Sequence, residues 1–176
     1  KTDLIIFNLI FFLICFQGFI GWYMVKSGLV ERTDVSQYRL SLHLTTAFII
    51  YILLFWTYLK LINTKNYKYF KKLPYKISYV FTFMILLQIS LGAFVSGLDA
   101  GKIYQSWPLM GDSFFPNDSN LKDLFSLQLF DEPSLVQFLH RNFAYVILLF
   151  FIFISYFVYS NDDFYYLRKS VFFIFI

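Results

Sequence analysis

Leu4-Ile5-Ile6-Phe7-Asn8-Leu9-Ile10-Phe11-Phe12-Leu13-Ile14-Cys15-Phe16-Gln17-Gly18-Phe19-Ile20-Gly21-Trp22-Tyr23-Met24-Val25 is apolar almost throughout and carries no charge. Wound as a helix it measures roughly 33 Å, enough to cross the hydrocarbon core of a bilayer. Lipid offers backbone groups no hydrogen-bond partner, so a continuous run of this kind is expected to be helical. Similar runs recur at 40–62, 77–98 and 134–159, and another apolar run opens at Val171. Short alternating segments of the kind that build membrane barrels are absent from the sequence. The expected fold class is all-α, a polytopic transmembrane helical bundle with four full spans and the start of a fifth, in one region covering 1–176.

Composition agrees. Apolar residues make up 59% of the chain, aromatic residues 24% and charged residues only 15%, too few charges for a typical soluble domain. Cys15 stands alone inside an apolar run, which rules out a disulfide framework and suits a packing role. The chain opens at Lys1 without a methionine and closes at Ile176 within an apolar run, so a piece of a longer protein is the expectation. The run 4–25 is too long for a signal-peptide core and lacks a cleavage site.

The net charge of +4 is distributed as a membrane topology rather than as a nucleic-acid footprint. The connection after the second span holds Lys60, Lys65, Lys68, Lys71, Lys72 and Lys76 without an acid. Such a segment stays on the cytoplasmic or matrix side. The loop 99–133 then faces outward, and it carries Asp99, Asp112, Asp118, Asp123, Asp131 and Glu132 against Lys102 and Lys122. It is longer than most helix connections, which marks it as functional or partly ordered. Its segment Ile103-Tyr104-Gln105-Ser106-Trp107-Pro108-Leu109-Met110 is apolar and aromatic, fit for either a lid or an interfacial anchor. Asp99 lies in Ser96-Gly97-Leu98-Asp99-Ala100-Gly101, where it either caps a tight turn or orients a group at the outer side.

The chain holds two histidines, His43 and His140, one near the start of the second span and one near the start of the fourth. The topology brings both toward the outer side at similar depth. A polar side chain at that depth faces the bundle interior as a rule. An imidazole there can ligate iron, relay protons or bond a neighbour. Each has a basic companion: Arg39 precedes His43 by one helical turn, and Arg141 follows His140 directly. A guanidinium at the membrane edge either binds a carboxylate, such as the propionate of a heme, or snorkels to the headgroups. A weak internal echo joins Gln17-Gly18-Phe19-Ile20-Gly21 in the first span to Gln88-Ile89-Ser90-Leu91-Gly92 in the third, and helix packing alone would explain its glycines. No cysteine pair, His-x-x-His spacing, phosphate-binding glycine loop or Ser-His-Asp set is evident.

Trp22-Tyr23-Met24-Val25-Lys26-Ser27-Gly28-Leu29, then Arg32, Asp34-Val35-Ser36, Tyr38-Arg39-Leu40 and His43-Leu44, resemble the heme A synthase family. So do Gly92-Ala93-Phe94-Val95-Ser96-Gly97-Leu98-Asp99-Ala100-Gly101, Tyr104, Pro108-Leu109-Met110, Pro116 and His140-Arg141. The resemblance covers nearly the whole chain and is nearest to the proteobacterial and mitochondrial form. It implies eight membrane helices in two pseudo-equivalent four-helix halves, of which this chain supplies helices three to six and the start of seven. It implies oxidation of a methyl group of heme O to the formyl group of heme A, with water as oxygen source and heme b as cofactor. In that pattern His43 is the iron ligand in the half linked to substrate heme, and His140 the ligand in the half linked to resident heme b, with Arg39 and Arg141 beside the propionates. The partner ligands and the family's acidic catalytic residue fall on helices outside this chain, so the fragment alone is expected to be inactive. The implied partners are heme O synthase, cytochrome oxidase assembly proteins, the lipid bilayer and a second copy of the chain. The implied location is a bacterial inner membrane in preference to a mitochondrial one. A membrane b-type cytochrome that only transfers electrons, and a non-heme transporter or assembly factor, remain the alternatives.

Overall fold

A computed structural model describes residues 2–28, 35–62 and 73–175. Arg32 and Asp34, and the lysines Lys65, Lys68, Lys71 and Lys72 of the basic connection, lie outside the described residues. The chain is all-α: α1 (Thr2–Gly28), α2 (Gln37–Ile62), α3 (Tyr75–Gly97), α4 (Pro133–Ser160) and α5 (Arg168–Phe175), with short 3-10 turns between α3 and α4 and before α5. Among the described residues there is no β-strand, only a single bridge between Met110 and Ser113. The first four helices are each long and apolar enough to cross a membrane. The protein is a multi-pass membrane bundle.

Packing follows chain order. α1 lies on α2, α2 on α3 and α3 on α4, while among the described residues α1 packs extensively against no other helix. The helices therefore stand in a row and leave wide apolar faces open, with Phe11, Phe12, Trp56, Tyr79 and Leu149 all largely exposed. Between lipid-embedded helices there is no hydrophobic drive, so contact rests on close packing and hydrogen bonds. The α2–α3 seam shows both devices. A β-carbon on Gly97 would lie 2.7 Å from Cα of Gln37, so only glycine admits this approach. Ser41 and Ser90 share a hydroxyl hydrogen bond of 2.7 Å one step further along.

Burial concentrates at the two ends of α4. At one end Phe151, Ile154 and Val158 of α4 enclose Phe164 and Val171, which fastens α5 to α4. At the other end the first turns of α4 are wrapped by the long loop: Leu135, Val136, Ala100 and Met110 are within 1% of complete burial. α3 closes on Asp99 in the left-handed region, φ 51°, with its N–H donated to the Ser96 carbonyl at 3.2 Å. The Asp99 carboxylate pairs with Lys102 at 2.9 Å, and both side chains are exposed. Asp99 thus stands in the turn through its backbone, and its side chain makes no capping hydrogen bond.

Candidate functional site

His43 and His140 occupy equivalent places. Counting about 1.5 Å per residue, His43 lies roughly 9 Å along α2 and His140 roughly 10 Å along α4. Both helices start at the same end of the row, because the stretch before α4 reaches back to α2. The Asp131 carboxylate accepts from Gln37 Nε2 and Tyr38 OH, each at 2.9 Å, and Phe130 packs on Phe94.

Each ring lies against a glycine of the preceding helix. A β-carbon on Gly21 of α1 would stand 3.1 Å from His43 Cε1 and 3.6 Å from Nδ1. One on Gly92 of α3 would stand 3.3 Å from His140 Nε2. Glycine is thus what keeps the nitrogen-bearing edges of both imidazoles uncrowded. His43 Nδ1 is buried without a hydrogen-bond partner, a state that costs about 1–3 kcal/mol for an unsatisfied polar group. Gln88, one turn before Gly92, donates from Nε2 to the His140 carbonyl at 3.1 Å and keeps its own Oε1 buried and unpartnered. Among the described residues no group of three or more His, Cys, Asp or Glu converges on a metal position.

The arginines differ. Arg39 lays its guanidinium over the Tyr23 ring, 4.7 Å from the centroid, and so ties α2 to α1. Arg141 donates from Nη1 to the Ser106 carbonyl at 2.8 Å and from Nη2 to the Tyr104 carbonyl at 2.6 Å. Gln137, one turn earlier and buried, donates to the same Tyr104 carbonyl at 2.8 Å. Irregular backbone beside a membrane helix needs partners of this kind. The sequence offers Arg141 a carboxylate or the headgroups; the structure adds loop carbonyls as a third partner.

The loop is an ordered cap on α4. Tyr104 OH donates to Asp118 Oδ1 at 3.0 Å and Ser134 Oγ to Asp118 Oδ2 at 2.6 Å, which seats a carboxylate at the positive end of the α4 dipole. Phe114 and Phe115 meet Phe138 edge to face. Trp107 Nε1 donates to Tyr145 OH at 2.7 Å, so the loop tip reaches past the level of His140 along α4. Burial pushes the Asp118 carboxyl up, but the bonds from Ser134 and Tyr104 outweigh it and hold its pKa below the ordinary carboxylate value. Burial, then the Asp118 hydrogen bond, raise the Tyr104 phenol above its ordinary value. Sequence reasoning missed Gln88, Gln137, Tyr145 and the Asp118 seat; of these only Gln88 left a trace, in the echo of Gln17 to Gly21.

A separate apolar cleft of 480 Å³, bordered by Tyr38, Leu87, Leu91, Phe94, Phe130 and Leu139, lies beside α3 and includes neither histidine.

Residues 5–176 match the family described as cytochrome oxidase assembly protein, COX15-CtaA. The chain is 54% identical over 155 residues to a protein of Pelagibacter ubique named heme A synthase, covering 88% of this chain and 45% of that one. It is 46% identical over 132 residues to the Sinorhizobium fredii protein of that name, covering 75% and 36%. It is 46% identical over 151 residues to the Rickettsia bellii protein so named, covering 82% and 44%. The chain therefore spans less than half the length of these curated relatives. No solved structure matches it. The span of the family match and these identities establish that the chain belongs to the cytochrome oxidase assembly protein family COX15-CtaA.

Proposed function

We propose that this chain provides heme-binding helices of a heme A synthase, an oxidoreductase that converts a methyl group of heme O to the formyl group of heme A for cytochrome oxidase, with bis-histidine heme b as cofactor. The observation that carries the reading is the pair of histidines at equal depth, each with its nitrogen edge against a glycine. The names of the relatives support the same activity.

The residues fit a heme. A flat macrocycle needs close backbone approach at the ligating edge, which glycine provides, and an imidazole nitrogen left without a protein partner, as at His43. His43 and His140 are the iron ligands in this reading, His43 toward substrate heme O and His140 toward heme b. When bound, heme b would supply a redox couple, and His140 would be the residue of this chain that holds it. Arg39 and Arg141 lie within two turns of the ligands on the side where propionates belong. Arg141 spends two of its five N–H donors on the loop and keeps the others for a carboxylate. The loop keeps water from the outer flank of His140.

In this reading the lysine-rich connection faces the cytoplasm and the cap faces outward, in a bacterial inner membrane. Heme O synthase and other cytochrome oxidase assembly proteins are the partners expected to deliver substrate and take product.

Heme extraction with reduced absorbance spectra on the full-length protein tests the proposal. Heme b together with heme O or heme A is expected. Heme b alone, with no conversion of heme O, would point to an electron-transfer cytochrome. No heme after expression with ample supply would leave a transporter or assembly factor.

A further inference from the structure

We infer that Gly92 and Gln88 are positioning residues for His140, together forming a seat that fixes the imidazole as an iron ligand, and that Gly21 does the same for His43. The inference rests on the heme reading above and goes further, since it assigns roles on the helices that carry no ligand.

Three observations converge on it. First, the contact recurs in two separate helix pairs, α1 with α2 and α3 with α4, and in each the glycine faces the nitrogen-bearing edge of the ring. Second, not every glycine on these helices has a close neighbour. A β-carbon on Gly18, one turn from Gly21, would meet nothing within 4 Å. A glycine in mid-helix costs about 0.5–1 kcal/mol relative to alanine, so an uncrowded glycine has little to recommend it, whereas a β-carbon at Gly21 or Gly92 would press on a histidine ring. Third, Gln88 fixes the backbone under the ring. Its bond to the His140 carbonyl competes for an acceptor that the helix would otherwise use alone, and so ties the ligand's own peptide to α3. Its buried Oε1 has no partner. A leucine there would be the less costly choice for packing alone.

An added β-carbon on Gly92 would crowd Nε2, the nitrogen on the edge that faces α3. At 3.3 Å the ring must give by a few tenths of an ångström. A rotated imidazole binds iron less tightly and in a different ligand field, because outer partners set ligand orientation.

The test uses the full-length protein purified with its hemes, comparing Gly92→Ala, Gln88→Leu, Gly18→Ala and His140→Ala. Heme b content, the electron paramagnetic resonance g-values of the oxidised low-spin heme, and monodispersity on size exclusion are read together. Gly92→Ala is expected to lower heme b retention by about tenfold or more and to shift the g-values while the protein stays monodisperse. Gln88→Leu is expected to shift the g-values with heme b retained, and it carries the test by itself should Gly92→Ala fail to fold. Gly18→Ala is expected to match the unaltered protein. Unchanged g-values and heme content in both seat variants, with His140→Ala losing its heme, would overturn the seat and leave the ligand standing. Full heme b retention in His140→Ala would instead remove the ligand assignment, and the seat with it.

Discussion

His140 sits beneath a folded loop, with Arg141 and Gln137 bonded to loop carbonyls, Asp118 seated on the first turn of α4, and Gln88 holding the backbone of the ring's own residue. His43, at the same depth on α2, shares the glycine floor, but among the described residues its Nδ1 is unsatisfied and Gln17 makes no counterpart of the Gln88 bond. The floor belongs to the helix pair and comes with the spacing of Gln and Gly. The roof over His140 belongs to the long connection before α4. Two histidines therefore share one floor, while the described partners around them differ.

The largest expected effect separates the two directly. In the full-length protein His140→Ala should lose heme b, by more than the roughly 10–100-fold in affinity that losing an orienting partner costs. His43→Ala should keep heme b and lose conversion of heme O to heme A. Heme extraction with a turnover assay reads both, and equal loss of heme b in the two variants would erase the proposed division.

Next in size is the roof. Arg141→Gln removes charge-assisted bonds to two carbonyls, each contributing about 1.5–3 kcal/mol. Amide hydrogen exchange across 103–110 should speed up by at least about tenfold, since 1.4 kcal/mol is tenfold. Unchanged exchange would mean that aromatic contacts alone dock the loop.

Arg39→Gln gives up a stack on Tyr23 of about 0.5–1 kcal/mol. Its effect on exchange in the adjoining turn of α2 should be only about two- to fivefold. An effect as large as that of Arg141→Gln would show that the two sites are more alike than their described partners suggest.

The smallest effect is on pH. The Asp118 pKa is lowered, so its contribution to docking is present above the ordinary carboxylate value of 3.8 and lost as pH falls through the folded value below it. The Tyr104 pKa is raised, so its contribution is present below 10.0 and lost only as pH rises through a higher value. Loop protection corrected for intrinsic exchange should be flat between these limits and fall outside them. A slope near neutrality would assign control of the loop to a histidine.

The helical class and the unusual place of both histidines were legible because each is a local signal: an uncharged apolar run is a span wherever it occurs, and an imidazole within one stands out by contrast. Asp99 was legible in part, since glycine on both sides announces a turn. The cap on α4 was not. It depends on Arg141 and Gln137 reaching the carbonyls of Tyr104 and Ser106, more than thirty residues away in sequence, and carbonyls look alike at every position. The glycine floors were half visible. The spacing from Gln to Gly appears in both spans, but nothing in either string says that a histidine on the next helix rests there.

The burial of the first turns of α4 also sets an order of assembly. α4 has 28 residues and measures about 42 Å, against a hydrocarbon core of about 30 Å. Its first nine positions include Ser134, Gln137, His140 and Arg141, whereas from Phe143 onward it is nearly all apolar. Insertion is governed by that later stretch. The polar turns are left at the membrane boundary, and their partners lie in the connection that precedes them. The nascent helix must take its transmembrane position before the loop can fold back onto it, which makes closing of the cap a late check that α3 and α4 have inserted in register.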